Sequence, residues 1–553
     1  MADSKREIER KYEATAGTRL PDLSRVAGVS AVVHRGVTEL DAVYHDTEDH
    51  RLAADSLTLR RRTGGSDAGW HLKFPVAPGI RDELREPLSD TLPRSLAALV
   101  RSRVRDAELV PVVRLSSARD VHHLLGDRGD LLAEVAVDEV RAVRLTGGEG
   151  TAAWTEIEVE LADAGDPALL DAVEGRLRKA GIRPSTSASK LARALAGTGP
   201  GAEPGKGKPG KAAKTEPGKG KPGGKAREKK PASKPGGKIR EKKPASKPDG
   251  KAREKKPAPA TAGDHVLAYV RRQAEAIVAL DPAVRRDLPD SVHQLRVATR
   301  RLRSALRTYR RILDRDVTDP LGRELKWLAA ELGIDRDQEV LDARLGARLD
   351  ELPRTLLLGP VRGRLRIRSA ARRADSRRRT VAVLDGKRYL ALLESLDALL
   401  ANPPLLPAAS SAPGRALPRA LLKEYGRLAK RVGRALDLPP GHDRDLALHE
   451  ARKAAKRTRY AAEAARPALG KPAKRFAKRM KAVQSLLGDH QDSVVAREAL
   501  RTLAAQAHAA GESAFTWGLL YGREEAAAAA GERELPGVWA RASRPGLRSA
   551  LGD

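Results

Sequence analysis

The sequence contains no cysteine, which excludes disulfides, thiolate metal sites and cysteine nucleophiles. Aromatic residues make up only 3% of the chain, few for the stacking platforms that hold single-stranded nucleic acids. Long apolar runs are also missing. The stretch "AAAAA" from Ala526 falls far short of the roughly 18 residues that a membrane-spanning helix needs. The N-terminal "MADSKREIERKYEA" is charged throughout and has no apolar signal-peptide core. Together these absences predict a soluble cytoplasmic protein with no membrane partner.

What the chain does have is length and charge. Its 553 residues suffice for several hydrophobic cores, and its formal net charge is +32. The charge is uneven: −3 over residues 1–197, +14 over 198–262 and +21 over 263–553. A polyanionic partner is expected for the last two segments. The middle one repeats a 13-residue unit, "KPGGKAREKKPAS" (Lys221–Ser233), then "KPGGKIREKKPAS" and "KPDGKAREKKPAP". With almost no large apolar side chain it cannot offset its ordering entropy, so 198–262 is expected to be a disordered linker. It separates a domain at 1–197 from one at 263–553.

The first domain reads as strands of period two. "REIERKY" puts Glu7, Glu9 and Lys11 on one face; "LTLRRRT" pairs Arg60 with Arg62; "WHLKF" adds Lys73. "LLAEVAVDEV" places Glu134 and Asp138 opposite Val135 and Val137, and "TEIEVEL" aligns Glu156, Glu158 and Glu160. "SLAALVRSRV" and "PALLDAVEGRLRKAG" look helical, so the class is α+β with an antiparallel sheet. A solvated sheet has no need to sort acidic strand faces from basic ones. A barrel with a polar interior does, with carboxylates for Mg²⁺ or Mn²⁺ and Arg and Lys for phosphate oxygens.

Glu7-Ile8-Glu9-Arg10-Lys11 resembles the E-x-E-x-K signature of the CYTH domain, the triphosphate tunnel metalloenzymes. Tyr44-His45-Asp46-Thr47 is similar to the family's Y-x-D-T, and the other motifs occur in the family's order. The resemblance spans residues 1–197 and implies an eight-stranded antiparallel tunnel. Glu7, Glu9, Asp138, Glu156 and Glu158 are its implied metal ligands. Lys11, Arg60, Arg62, Lys73, Arg119 and Lys190 are its implied triphosphate contacts, with Glu7, Glu9 and Lys11 as the catalytic signature. Arg114 competes with Arg119, and Glu160 with Glu156. Members hydrolyse triphosphates or cyclise ATP.

The second domain reads as helices throughout, broken at "NPPLLP" and "DLPPG". It repeats itself. "HQLRVATRRLR" from His293 matches "HEARKAAKRTR" from His449, and "LGIDRDQEV" (Leu332–Val340) matches "LGDHQDSVV" (Leu487–Val495). The same order at nearly the same offset argues for a duplicated helical unit. Arg296, Arg300 and Arg303 follow His293 on one helix face, flanked by Arg301; Arg452, Lys456 and Arg459 follow His449, flanked by Lys453 and Arg457. Nucleic-acid binding is disfavoured by the scarce aromatics. Metal binding by His293, His449 and His490 is disfavoured by the spacing. An inorganic polyanion needs neither. The paired motifs resemble the CHAD domain, an all-helical family associated with polyphosphate and polyphosphate granules. The implied phosphate contacts are His293, Arg296, Arg300, Arg301, Arg303, His449, Arg452, Lys453, Lys456, Arg457 and Arg459.

The expectation is therefore a Mg²⁺- or Mn²⁺-dependent triphosphatase joined to a polyphosphate-binding domain. The alternatives are a non-catalytic polyphosphate scaffold and a nucleic-acid-binding protein.

Overall fold

The computed structural model describes residues 3–163, 165–199 and 261–552. The expected linker, 198–262, lies outside the described residues apart from its ends. Alternating sequence becomes nine strands: β1 (Asp3–Ala14), β2 (Ala31–Asp46), β3 (Thr58–Thr63), β4 (Gly69–Ala77), β5 (Ile80–Pro87), β6 (Val110–Leu125), β7 (Leu131–Arg144), β8 (Thr151–Leu161) and the short β9 (Arg183–Pro184). Eight form an antiparallel ring in the order β5-β4-β3-β2-β6-β7-β8-β1, closed by pairing of β1 with β5; β9 adds to β1. The expected eight-stranded tunnel is what the chain forms.

Four helices accompany the ring: α1 (Arg51–Ala54), α2 (Arg94–Val104), α3 (Ala168–Lys179) and α4 (Lys190–Gly197). Their apolar stripes cover the outward side of the strands, which leaves the charged side facing in. Ile157, Val159 and Leu161 of β8 pack with Tyr12 against Leu170, Val173 and Leu177 of α3. Leu96, Leu99 and Val100 of α2 cover Leu59, Trp70 and Leu72. Leu191 and Ala194 of α4 join Tyr44, Val113 and Val140, which seats Lys190 at the helix start.

The second domain is entirely helical among the described residues. It comprises α5 (Ala262–Arg285), α6 (Ser291–Thr308), α7 (Arg315–Glu331), α8 (Gly333–Asp350), α9 (Val361–Asp385), α10 (Lys387–Ala401), α11 (Pro413–Asp437), α12 (His442–Ala509), α13 (Phe515–Ala542) and α14 (Pro545–Ser549). The sequence repeat is visible as architecture. His293 lies on α6 and "LGIDRD" begins at the α7–α8 junction, whereas α12 carries both second-copy motifs on either side of Gly470. At Gly470 the backbone leaves helical values, with φ 61° and ψ −131°. The copies meet where α6 packs on α12, and the Tyr309 hydroxyl donates to Ala461 O at 3.0 Å.

Candidate functional site

The ring encloses a cavity of about 510 Å³. Its lining includes Glu7, Glu9, Lys11, Arg60, Arg62, Lys73, Arg119, Glu158 and Lys190, so every expected triphosphate contact faces the lumen. Asp138 and Glu156 are buried behind this lining, where Lys190 reaches them. Arg114 instead lies outside, against Asp41 at 2.8 Å, which places Arg119 alone of the two in the lumen. Glu160 also lines the cavity, paired with Lys5 at 2.6 Å.

Strand register explains the crowding of charge. Glu134, Glu160 and Glu9 stand opposite one another across β7, β8 and β1. A second row runs Arg119, Asp138, Glu156 and Glu13 across β6, β7, β8 and β1. Like charges facing each other across strands destabilise a sheet unless cations intervene. Here they do. Lys11, opposite Glu158, bonds both Glu158 and Glu9. Lys190 Nζ lies 2.9 Å from Asp138, 2.9 Å from Glu156 and 2.5 Å from Glu158. Arg119 bonds Asp138 through two nitrogens at 2.8 Å and Glu158 at 2.6 Å. Burial alone raises a carboxyl pKa, but Lys11, Lys190 and Arg119 outweigh it and hold Glu158 well below the usual range. Glu7 behaves oppositely: burial wins over Lys73 and pushes it up.

The expected sorting of acidic from basic faces is thus incomplete, because an unrelieved row of one sign repels itself. The basic wall contains a buried acid that the sequence reading did not single out, Glu83 on β5. It accepts from Arg85, lies 2.9 Å from His71 Nδ1, 3.3 Å from Lys73 and 3.8 Å from Arg60. These partners overcome its burial and hold it far below the ordinary range. The signal was present in "RDELREP", where Arg81, Glu83 and Arg85 alternate on one face. Tyr44-His45-Asp46-Thr47 is largely a capping turn. Asp46 accepts from the backbone N–H groups of Thr47, Leu52 and Ala53, while the Tyr44 hydroxyl meets Arg60 at 3.4 Å.

Could this set hold a hard dication? Oxygens of Asp138, Glu156 and Glu158 lie within 4.8 Å of one another, and Glu156 Oε1 is buried without a hydrogen bond despite the nearby Lys190 ammonium. Three all-oxygen donors gathered this closely fit Mg²⁺ or Mn²⁺. Glu9 is close enough to Glu158 to raise its own pKa, although burial acts more strongly and Lys11 reverses both. Glu7 sits apart, bonded by Lys73 at 2.9 and 2.6 Å.

The paired helices form a second candidate site. Arg296 on α6 meets Asp337 at 3.0 Å, and Arg452 on α12 meets Asp492 at 3.7 Å. These are the aspartates of the two L-G-x-x-x-D motifs, so each helix motif docks on its own downstream motif. The glycine serves this contact: a Cβ on Gly333 would lie 2.8 Å from Arg296 Nη2. Lys456 faces Arg300 of the other copy and Arg452 of its own, with Asp337 and Asp492 opposing them. Arg301 and Arg459 share Glu463, at 3.2 and 3.0 Å, and flank the Tyr460 ring. Arg457 lies 3.5 Å from Glu424, and Arg303 is desolvated beside Arg307. Lys453 is half-exposed and pairs with Glu450 at 2.7 Å, one residue around the helix from Arg452. His449 packs beside Arg452 and Lys453, with Nδ1 buried and unpartnered. His490 belongs to a separate network, 3.3 Å from Asp445 and 3.2 Å from Glu532, which Arg497 and Arg444 also hold.

Comparison with known proteins covers both halves. The CYTH domain family matches residues 5–195 and the CHAD domain family residues 268–501. An uncharacterized protein of Mycobacterium tuberculosis is 36% identical over 536 residues, covering 94% of this chain and 92% of its own. Among solved structures, PptA from Streptomyces chartreusis is 22% identical, covering 51% of this chain and 99% of that one, with a TM-score of 0.43. The CHAD domain from the plant Ricinus communis is 25% identical, covering 53% and 92%, with a TM-score of 0.37. With a charged tunnel followed by a duplicated basic helical unit, the chain belongs to the family of proteins in which a CYTH domain precedes a CHAD domain.

Proposed function

We propose that the chain is a metal-dependent triphosphatase, acting on inorganic triphosphate or a similar substrate, tethered to a polyphosphate-binding domain. The domains are 1–197 and 263–553, joined by the basic segment 198–262. The observation that carries the catalytic half is the meeting, inside one closed ring, of a three-carboxylate cluster and a basic lining that includes Lys11, Arg60, Arg62, Lys73, Arg119 and Lys190. Phosphoryl transfer depends chiefly on positioning and charge neutralisation, so no covalent nucleophile is required.

Arg60, Arg62, Lys73 and Arg119 grip the phosphate chain, the guanidinium groups by paired N–H donors. Lys11 and Lys190 balance the carboxylates when the tunnel is empty and turn toward phosphate oxygens when it is filled. Asp138, Glu156 and Glu158, with Glu9 beside them, would hold Mg²⁺ or Mn²⁺, which would supply charge neutralisation and a more acidic water, while Glu7, set apart on Lys73, would join only through water. Glu83 anchors Lys73, Arg60 and Arg85 so that the basic wall is in place before substrate arrives. A metal-dependent phosphate-release assay with triphosphate tests this. Glu9→Ala should slow release on the order of 100-fold. Equal release by both proteins would overturn the catalytic reading and leave a binding scaffold.

In the second domain, Arg296, Arg300, Arg301, Arg303, Arg452, Lys453, Lys456, Arg457 and Arg459 hold inorganic polyphosphate, with His293 and His449 at the head of each helix motif. The convergence of both copies on one seam supports an extended anion. Tethering raises the concentration of phosphate chains near the tunnel. Competition at matched charge and salt checks the ligand class: long polyphosphate should displace RNA and DNA. No described helix is long and apolar enough to cross a membrane.

A further inference from the structure

A second cluster of ligand atoms lies on the outside of the ring, back to back with the tunnel. β2 and β6 are paired so that His34 stands directly opposite His122, with Asp120 two residues away on the same face as His122. The register shifts between His34 and Gly36, which makes Arg35 a bulged residue. The bulge changes the facing of everything beyond it. Arg35, Thr38 and Leu40 of β2, and Arg119, Val121 and His123 of β6, line the lumen. His34, Asp120 and His122 are absent from that lining and stand on the outer face. A one-residue bulge re-aims side chains in this way.

His34 Nε2 lies 2.6 Å from Asp120 Oδ1, and His122 Nδ1 lies 4.0 Å from the same oxygen. The two imidazole rings are 4.9 Å apart between centroids, and one donor atom from each of the three residues falls within 4.8 Å of the others. An ordinary surface ion pair accounts for His34 and Asp120. It does not account for His122, whose Nδ1 is buried and has no hydrogen-bond partner.

We propose that His34, Asp120 and His122 form a binding site for Zn²⁺ on the outer face of the β2–β6 pair. Zinc bonds of about 2.0 Å to two imidazoles and a carboxylate leave donor atoms roughly 3.3 Å apart. The present spacings of 2.6 and 4.0 Å bracket that separation. Two imidazoles and one carboxylate suit Zn²⁺ far better than Mg²⁺, which prefers oxygen donors and keeps its water. Three protein ligands leave a fourth position for water. Zinc here staples β2, which carries Tyr44, to β6, which carries Arg119, without entering the tunnel.

The test is Zn²⁺ titration of the full, chelator-stripped chain against a chromophoric competitor, with millimolar Mg²⁺ present to occupy the tunnel carboxylates. The wild type should bind one tight equivalent. His122→Asn and Asp120→Asn should weaken that equivalent at least about tenfold, and His490→Asn should leave it intact. His34 is largely exposed, so His34→Asn serves as the variant whose fold is not in question. Zn²⁺ should raise the melting temperature of the wild type but not of His34→Asn. Unchanged Zn²⁺ affinity in His34→Asn, or loss of the equivalent only in His490→Asn, overturns the proposal.

Discussion

Lys456 is where the two halves of the helical domain make their sharpest demand. Burial, Arg452 on its own helix and Arg300 on the opposite copy push its pKa down to about 7, against the pull of Asp492 and Asp337. The free protein therefore holds this amine half-neutral at pH 7 and almost wholly neutral at pH 9. A bound polyphosphate chain favours the charged form, because a neighbouring anion raises an amine pKa. Binding must then take up a proton, so affinity is complete below pH 7 and is lost as pH rises. With the bound amine fully protonated, the dissociation constant should weaken about 50-fold from pH 7 to pH 9, or ~2.3 kcal/mol. Burial, then Lys453, holds His449 below its ordinary value. Isothermal titration with polyphosphate of defined length, in two buffers of different ionisation enthalpy, reads the proton count directly. Lys456→Arg stays charged throughout and should flatten the pH dependence. The same slope in both proteins, or no proton uptake at pH 9, would refute the reasoning.

Arg119→Met should destabilise the tunnel by about 3 kcal/mol in urea unfolding, since Asp138 is left buried with Lys190 as its remaining charged partner. A loss below about 1 kcal/mol would show that Lys190 suffices. Gly470→Ala should lower the melting temperature through backbone strain of about 1–3 kcal/mol, because no atom lies within 4 Å of the added Cβ. An unchanged melting temperature would mean that α12 can run straight through this residue.

Much of the tunnel was legible because strand periodicity is a local property. Alternation in "REIERKY", "LTLRRRT" and "TEIEVEL" states which side chains share a face, and each face did turn inward. Alternation does not state which strands become neighbours. That Lys11 would stand between Glu9 and Glu158 depends on the register of β1 with β8, residues nearly 150 positions apart. Glu83 was overlooked for the same reason: its importance comes from His71 and Lys73 on β4 and Arg60 on β3. Arg114 and Arg119 were indistinguishable until strand pairing placed one against Asp41 and the other against Asp138.

In the helical domain the sequence by itself determined the duplication, because two motifs recur in order at nearly one offset. It also determined the sign of the domain's net charge, through the excess of Arg and Lys. Only the tertiary structure decided which of those cations converge. Neighbouring residues on a helix point about 100° apart, so Arg452 turns to Asp492 while Lys453 turns to solvent and Glu450. Only the tertiary structure, too, revealed that the two repeated motifs are partners, Arg296 with Asp337 and Arg452 with Asp492. Patterns along a chain record faces and repeats, which are local. Charge compensation is a property of space, and it is settled when distant segments fold against one another.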